Sequence, residues 1–295
     1  SRQRYSYTSL KCKPKTMEGF WFCIVVIVVP IVIQASSDIV DLSHPFNNET
    51  FYFKDDQFQL INKERGFTKL GYWIESNYFM GPEHGGTHCD APSHFYRDGW
   101  SVDEIPVENL FGEGILIDVT QQCSESRNFE VSVEDLTTWE SKYGEIPQSS
   151  IVFIYTGYSK YYPNATALVG TEEKNPNLYE FPGIDSKAAR ELVNRQIVAI
   201  GIDTPSVDYG RTQSYGSHVE LAANNIYNIE NVANLDKLPA KGFHVIVAPM
   251  KITGGSGGPC RVFAGLRLDQ NGGPSFIVVE KCLFILCMIN IYFLL

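Results

Sequence analysis

Short apolar runs alternate with periodic amphipathic segments along most of the chain. Four mainly apolar runs of strand length predict buried strands, at residues 115–119, 151–155, 197–202 and 243–249. Between them, helical periodicity predicts a helix that is capped by Ser132, has Asp135 in the capping-box position and runs to Tyr143. A second predicted helix is capped by Asp185 and runs to Gln196. Strands that alternate with helices in this way predict an α/β domain with a mixed sheet.

The N-terminal part of the chain follows a different pattern. Residues 1–16 are basic and contain no acidic side chain, residues 20–33 are almost wholly apolar, and residues 34–37 are small or polar. A short apolar run that ends in small residues is typical of a secretory signal and is too short for a membrane-spanning helix. We therefore predict a signal peptide at residues 17–35 and an upstream segment, residues 1–16, that is absent from the mature protein. A signal anchor that begins at residue 1 is the alternative.

The C-terminal end is a second uncharged apolar run. Residues 282–295 span only 14 positions, which is marginal for crossing a bilayer. The run fits either the tail of a lipid-anchor signal or a buried strand, so residues 280–295 stay unassigned. The body, residues 38–279, contains no repeat, low-complexity stretch or linker and is predicted to form a single domain. Membrane contact is expected only if one of the two apolar ends is retained.

Two N-glycosylation sequons, at Asn48 and Asn164, support export. The predicted location is therefore extracellular, with lipid anchoring as an alternative. Three of the seven cysteines lie in the body, which is too few for a disulfide framework but allows one bridge between two of them: Cys89, Cys123 and Cys260.

Composition separates this chain from nucleic-acid-binding proteins. The formal net charge is −10 and the pI is about 5.1, whereas a nucleic-acid-binding face needs Lys and Arg to neutralise phosphates. We therefore expect no nucleic-acid partner. Hydrophobic residues make up 44% of the chain and charged residues 20%, so a packed core is expected.

The residues best suited to chemistry are concentrated in one segment, 81–100. Three of the six histidines fall here, His84, His88 and His94, together with Asp90. Adjacent Gly and Pro residues disfavour a helix. In an extended segment, positions 84, 88 and 90 share one face and present two imidazoles and a carboxylate together. Three N/O ligands with an open position for water are typical of a catalytic divalent-metal site. An ordinary hydrogen-bonded His–Asp pair is the alternative, but this number of residues at this spacing favours a metal.

The segment HGGTHCDAPSH, from His84 to His94, resembles the HxGTHxDxPxH signature of the metal-dependent cyclase-like family. That family includes the bacterial-type kynurenine formamidases and isatin hydrolases. Further segments resemble motifs of the same family: DLSHP at 41–45, GIDTPSVD at 201–208, the pair His218 and Glu230, and a Gly-rich stretch at 250–259. The resemblance covers nearly all of the body.

The resemblance implies a swivelling β/β/α domain that is usually assembled as a homo-oligomer. It also implies that His84, His88 and Asp90 bind a first metal ion, and that Asp90 bridges to a second ion held by His218 and Glu230. The implied metal is Zn²⁺, as one or two ions. Mn²⁺ is possible because imidazole and carboxylate ligands suit both metals.

The implied reaction is the hydrolysis of a small-molecule amide, with His94 as the acid/base that passes a proton to the departing amine. We expect an arylformamidase, which converts N-formyl-L-kynurenine and water to kynurenine and formate in tryptophan catabolism. A hydrolase of a cyclic amide such as isatin is the alternative, because the metal motif does not set substrate choice. A secreted, non-catalytic binding protein of the same fold is a third hypothesis. The complete ligand set favours catalysis.

Two further residues are predicted to bind substrate. Trp73 is one of several aromatic residues near the metal motif, although ordinary core packing is the alternative for most of them. Asp203 follows a buried strand, where α/β folds tend to place functional groups, and the alternative is a turn-starting Asp before Thr204. The Gly-rich run at 254–258 lacks the ending of a P-loop and is interpreted as a structural or site-lining loop.

Overall fold

Twelve strands and five α-helices are present in the part of the chain that the structure, a computed structural model, describes, residues 39–266. The strands are β1 (Ile39–Asp41), β2 (Gln59–Phe67), β3 (Trp73–Met80), β4 (His88–Asp90), β5 (Phe111–Asp118), β6 (Glu130–Val131), β7 (Ile151–Tyr155), β8 (Gly183–Ile184), β9 (Ala199–Ile202), β10 (Tyr227–Glu230), β11 (Phe243–Pro249) and β12 (Gly257–Gly265). The helices are α1 (Thr120–Glu125), α2 (Val133–Tyr143), α3 (Ala165–Val169), α4 (Ser186–Asn194) and α5 (Gly216–Ala222). The predicted signal peptide, the apolar tail and the outer ends of the predicted domain lie outside the described residues.

Eight strands form one mixed sheet in the order β1-β12-β11-β5-β7-β9-β10-β4, and β4 also pairs with β12, so the sheet closes into a ring. Strands β5, β7, β9 and β10 run parallel to one another. Strand β4 is antiparallel to both of its neighbours, β10 and β12. The predicted α/β architecture with a mixed sheet is therefore confirmed. The strand that closes the ring is the one that carries His88 and Asp90.

The elements predicted from local pattern are present with small shifts. Each of the four predicted strands occurs, as β5, β7, β9 or β11, and the largest difference is that β5 begins at Phe111. Ser132 and Asp135 form the predicted capping box at the start of α2. Asp185 caps α4 by accepting a hydrogen bond from the amide of Lys187. These boundaries depend on contacts within a few residues, which is why sequence patterns locate them.

A buried apolar cluster lies on each side of the sheet. One cluster includes residues of α2 and α4, whereas the other contains no α-helical residue and fills the interior of the ring. Because side chains alternate along a strand, Ile115 of β5 faces the helices and Leu116 faces the interior. Glycine makes room there for large rings: a Cβ on Gly114 would lie 2.0 Å from the ring of Phe243.

The hairpin formed by β2 and β3 is a separate two-stranded sheet. It and its turn expose many large apolar side chains: Leu60, Phe67, Leu70, Tyr72, Trp73, Tyr78, Phe79 and Met80. Apolar surface of this extent on one projecting element is typical of a contact surface for another protein chain.

Cys89, Cys123 and Cys260 are buried free thiols, so the possible bridge is not formed among residues 39–266. Within the same residues, no helix combines the length and the apolar character that crossing a membrane requires.

Candidate metal centre

The candidate ligands converge where β4 closes the ring. His88 and Asp90 lie two positions apart on β4 and share a face, as predicted. Glu230, the last residue of β10, is directly opposite His88 in the register of the two strands. His218 comes from α5. His84 does not belong to the strand: it lies in the loop before β4, in which Gly86 adopts a positive φ of 55°. The expectation that three ligands share one extended segment is therefore right for two of them only.

These side chains form two groups that share Asp90. His84, His88 and Asp90 make up the first group, and Asp90, His218 and Glu230 make up the second; within each group the candidate ligand atoms lie within 4.8 Å of one another. Asp90 Oδ1 lies 2.6 Å from His84 Nδ1 and 3.1 Å from His88 Nε2. Its other oxygen, Oδ2, lies 3.3 Å from His218 Nε2. Asp90 can therefore bridge two ions, one through each oxygen.

The imidazoles are oriented by hydrogen bonds on the side away from the ligand cluster. His88 Nδ1 lies 3.0 Å from the carbonyl oxygen of Gly86, and His218 Nδ1 lies 2.6 Å from Asp208 Oδ2. Both contacts require an N–H donor, so the Nε2 atoms of these two rings are free to present lone pairs to an ion. Such outer partners fix the tautomer and the direction of metal-binding histidines.

The charges of the cluster fit a divalent cation. Asp90, Asp208 and Glu230 are buried, and in the described residues their ion-pair partners are histidines, with no Lys or Arg among them. Buried carboxylates need a compensating charge. Protons supply part of it in the metal-free protein: burial opposes the charged form of His88, but Asp90 and Glu230 outweigh it and raise the pKa of His88 to about 9. A divalent ion supplies the charge without these protons, so the donor set fits a metal.

The pKa values of Asp90 and Glu230 are shifted in opposite directions by the same surroundings. Burial favours the neutral form of Asp90, but His88 and the hydrogen bonds from the surrounding imidazoles hold its pKa well below its usual value. Burial and the nearby charge of Asp90 raise the pKa of Glu230. Asp90 is thus the ionised centre of the cluster.

A cavity of about 360 Å³ opens onto this cluster. All five candidate ligands and His94 line it, together with five aromatic side chains: Phe51, Tyr52, Phe53, Phe95 and Tyr215. The ring of His94 stacks on that of His84 with 3.9 Å between centroids. Burial lowers the pKa of His94 to about 4, so its imidazole is neutral at pH 7 and can accept a proton. His94 therefore faces the cavity beside the candidate ligands, and its acid/base role stays a prediction.

The two predicted substrate-binding residues lie elsewhere. Trp73 is 51% exposed at the start of β3, where its ring packs edge-on against Phe67, and it is outside the cavity within this chain. Asp203 is buried and accepts hydrogen bonds from the amide and hydroxyl of Thr156 and from the amide of Ser159. Its carboxylate therefore holds the loop after β7, a structural role that differs from the turn-starting role given as the alternative. Within this chain neither side chain lines the cavity, so the predicted substrate contact is not seen for either residue.

Sequence reasoning also missed residues that support the ligands. Asp208 belongs to the GIDTPSVD stretch, where its spacing from His218 gave no local signal of their contact. Ser256 lies 2.9 Å from His84 Nε2 through its Oγ and also contacts Glu83. These partners are separated from the ligands by up to 172 positions, so only the folded chain brings them together.

The chain is similar to characterised proteins over most of the described region. The family model described as "Putative cyclase" matches residues 40–209. Isatin hydrolase from Roseibium aggregatum is 30% identical over 213 residues, which cover 69% of this chain and 80% of that protein. Kynurenine formamidase from Bacillus cytotoxicus is 26% identical over 231 residues, which cover 77% of this chain and 96% of that protein. The solved structure of isatin hydrolase A from Ralstonia solanacearum aligns with a TM-score of 0.71 and 29% identity, covering 78% of this chain and 92% of that one.

Proposed function

This chain belongs to the putative cyclase family and is a metal-dependent hydrolase, and we propose that its substrate is a small aromatic amide whose C–N bond it breaks. The observation that carries the proposal is Asp90: its two oxygens serve two ligand groups, and both groups face a single cavity with aromatic walls. A site of this kind can hold one or two ions beside a flat, aromatic substrate.

We propose Zn²⁺ as the resident metal, bound by His84, His88 and Asp90 in the first position and by Asp90, His218 and Glu230 in the second. Mn²⁺ is the alternative, since these ligands suit it as well. A bound Zn²⁺ supplies a water of lowered pKa, about 7, and polarises a carbonyl oxygen.

The chain's own groups contribute proton transfer and substrate orientation. His94 is neutral and faces the cavity, so it can take a proton from the attacking water and deliver it to the nitrogen of the departing amine. Phe51, Phe95 and Tyr215 offer flat apolar surfaces on which an aryl group can lie.

Two substrates fit the proposal. N-formyl-L-kynurenine is the first, giving kynurenine and formate, and the relatives named kynurenine formamidase support it. Isatin is the second, and the relative named isatin hydrolase, which is the more similar in sequence, supports it. Both are aromatic amides, so the same site chemistry serves either.

The test is metal analysis coupled to turnover. Full-length protein is assayed for bound metal, and for hydrolysis of both substrates with and without a chelator. We expect stoichiometric metal and chelator-sensitive turnover of at least one substrate, both lost in His88→Ala. The matched control is His244→Ala, which removes a histidine of β11 outside the cavity and should keep both properties. Metal without turnover of either substrate points to another amide. Absence of both metal and turnover contradicts the proposal and leaves a non-catalytic binding protein.

We propose further that the chain forms a homo-oligomer through the β2–β3 hairpin. The apolar side chains exposed there, such as Phe67 and Leu70 at 76% and 85%, lose contact with water if a second copy covers them. Light scattering should give a mass of at least two chains, and Phe67→Ser with Leu70→Ser should shift it toward one chain. A monomeric wild-type protein at micromolar concentration contradicts this.

We also propose that the protein is exported. The apolar run at 20–33 and the two sequons support this, and both Asn48 and Asn164 have exposed side chains to which a glycan can attach. Expression in a eukaryotic secretory host should yield protein in the medium that loses mass on treatment with a peptide N-glycosidase. Protein retained inside the cell without glycans contradicts export.

A further inference from the structure

We infer that Glu83, acting through Ser256, is a positioning residue that determines which nitrogen of His84 faces the metal centre. The inference rests on the proposed role of His84 as a metal ligand. It also assigns a task to the Gly-rich run at 254–258, whose sequence alone did not reveal one.

The direction of the hydrogen bonds follows from the donors available. Ser256 Oγ lies 2.7 Å from Glu83 Oε2 and 2.9 Å from His84 Nε2. A carboxylate only accepts hydrogen bonds, so the single hydroxyl proton of Ser256 points to Glu83. The hydroxyl oxygen can then only accept from the imidazole. A proton of the His84 ring is therefore placed on Nε2.

When a cation replaces the proton between Nδ1 and Asp90, a ring with its proton on Nε2 presents the lone pair of Nδ1. Nδ1 lies 2.6 Å from Asp90 Oδ1, on the side of the other ligands, so a bound cation takes the place of a proton between these two atoms. His88 and His218 are held the other way round, with Nδ1 donating outward and Nε2 facing inward. His84 thus needs a partner at Nε2, where the other two rings need one at Nδ1.

Packing alone does not orient the His84 ring. Its side chain is 25% exposed, whereas those of His88 and His218 are 4% and 5% exposed. A partly exposed ring can turn over and exchange its proton with water. The hydrogen bond from Nε2 to Ser256 restrains it in the orientation that a metal ion requires.

The fold holds Ser256 rigidly in place. Its carbonyl oxygen accepts from the amide of Ala91 at 2.9 Å, and its amide donates to Glu83 Oε2 at 3.1 Å. The glycines on either side leave room for the partners: a Cβ on Gly255 would lie 2.9 Å from Glu83 Oε1, and a Cβ on Gly257 would lie 2.6 Å from His84 Cε1. The Gly-rich run therefore places one hydroxyl between a carboxylate and an imidazole.

Cobalt provides a readout that is independent of catalysis. In the full chain loaded with Co²⁺ alone, each ligand imidazole contributes one exchangeable ring N–H signal to the paramagnetically shifted proton spectrum. In Ser256→Ala, we expect the His84 signal to disappear through exchange with water while the signals of His88 and His218 remain. Chelator competition should show about 10- to 100-fold weaker Co²⁺ binding at the position that His84 serves.

Conservative and opposing variants complete the test. Ser256→Thr keeps a hydroxyl, and Glu83→Gln keeps an accepting oxygen, so both should retain the His84 signal, whereas Glu83→Ala should weaken it. Asp208→Asn should instead remove the His218 signal and leave that of His84. Circular dichroism checks that each variant is folded. If Ser256→Ala is not folded, the comparison of Glu83→Gln with Glu83→Ala tests the inference instead.

Two outcomes overturn the inference. One is a folded Ser256→Ala protein with all three signals and unchanged Co²⁺ affinity. The other is an equal loss of all three signals, which marks a general structural role. Since no readout uses a substrate, failure of the proposed amide hydrolysis leaves this result intact, while failure of the wild-type protein to bind Co²⁺ contradicts the metal site itself.

Discussion

Asp208 and His218 are joined by a 2.6 Å contact between Oδ2 and Nδ1, and the same carboxylate also accepts from the backbone amides of Ser217 and His218. Three donors thus converge on one side chain at the first turn of α5. The carboxylate holds both the helix start and the imidazole that it carries, so Nε2 of His218 is directed at Asp90 and Glu230.

Replacing Asp208 with Asn should weaken metal binding at the position served by His218. An amide has one oxygen acceptor and carries no charge, so it cannot accept from all three donors. We expect about 10- to 100-fold lower Zn²⁺ affinity, measured by competition with a chromogenic chelator. Asp236→Asn, at an exposed position, is the control and should bind Zn²⁺ as the wild type does. Equal affinities for all three proteins contradict the orienting role.

Metal binding should release protons. The pKa of His88 is about 9 in the metal-free protein because Asp90 and Glu230 outweigh the effect of burial, so the ring is protonated at pH 7. Ligation needs the neutral ring, and metal affinity should therefore rise as the pH increases toward 9 and level off above it. Calorimetry in two buffers of different ionisation enthalpy counts the protons. An apparent binding enthalpy that is the same in both buffers at pH 7 contradicts proton release on metal binding.

Loss of His94 should reduce turnover without loss of the metal. His94 lines the cavity but belongs to neither ligand group, so His94→Ala should keep the metal content of the wild type. General acid/base catalysis accelerates a reaction about 10²- to 10⁴-fold, so kcat should decrease by a factor in that range. Elemental analysis and steady-state kinetics are measured on the same preparation. A variant that loses its metal assigns His94 to the ligands instead.

Space inside the ring should limit substitution at Gly114. A Cβ at this position would lie 2.0 Å from the Phe243 ring, so Gly114→Ala should destabilise the fold by about 1–3 kcal/mol. Chemical denaturation measures the change. Gly265→Ala, also in the sheet but with no atom of residues 39–266, apart from its own and those of its chain neighbours, within 4 Å of the added Cβ, is the control and should differ little from the wild type. Adding Phe243→Leu to Gly114→Ala should recover part of the lost stability. If no stability is recovered, the clash with the Phe243 side chain is not the cause of the loss.

Much of this architecture could be predicted from the sequence because its causes are local. The alternation of β5, which sends Ile115 and Leu116 to opposite sides of the sheet, depends on strand geometry alone. The capping box of Ser132 and Asp135 lies within one turn. His88 and Asp90 share a face because they are two positions apart on a strand. The type of fold and the core of the metal motif follow from such patterns.

Tertiary structure decided what depends on distant partners. Trp73 is close to the motif in sequence, but the hairpin carries it away from the cavity, and Asp203 is occupied by Thr156 and Ser159 rather than facing substrate. Ser256 meets His84 only because β12 pairs with β4 to close the ring. The amino-acid sequence thus determined which ligand types the chain offers, because side-chain chemistry and local periodicity depend only on the order of residues. The nitrogen that each ligand presents, and the residues that wall the cavity, were decided by long-range strand pairing, which places groups more than a hundred positions apart within one hydrogen bond.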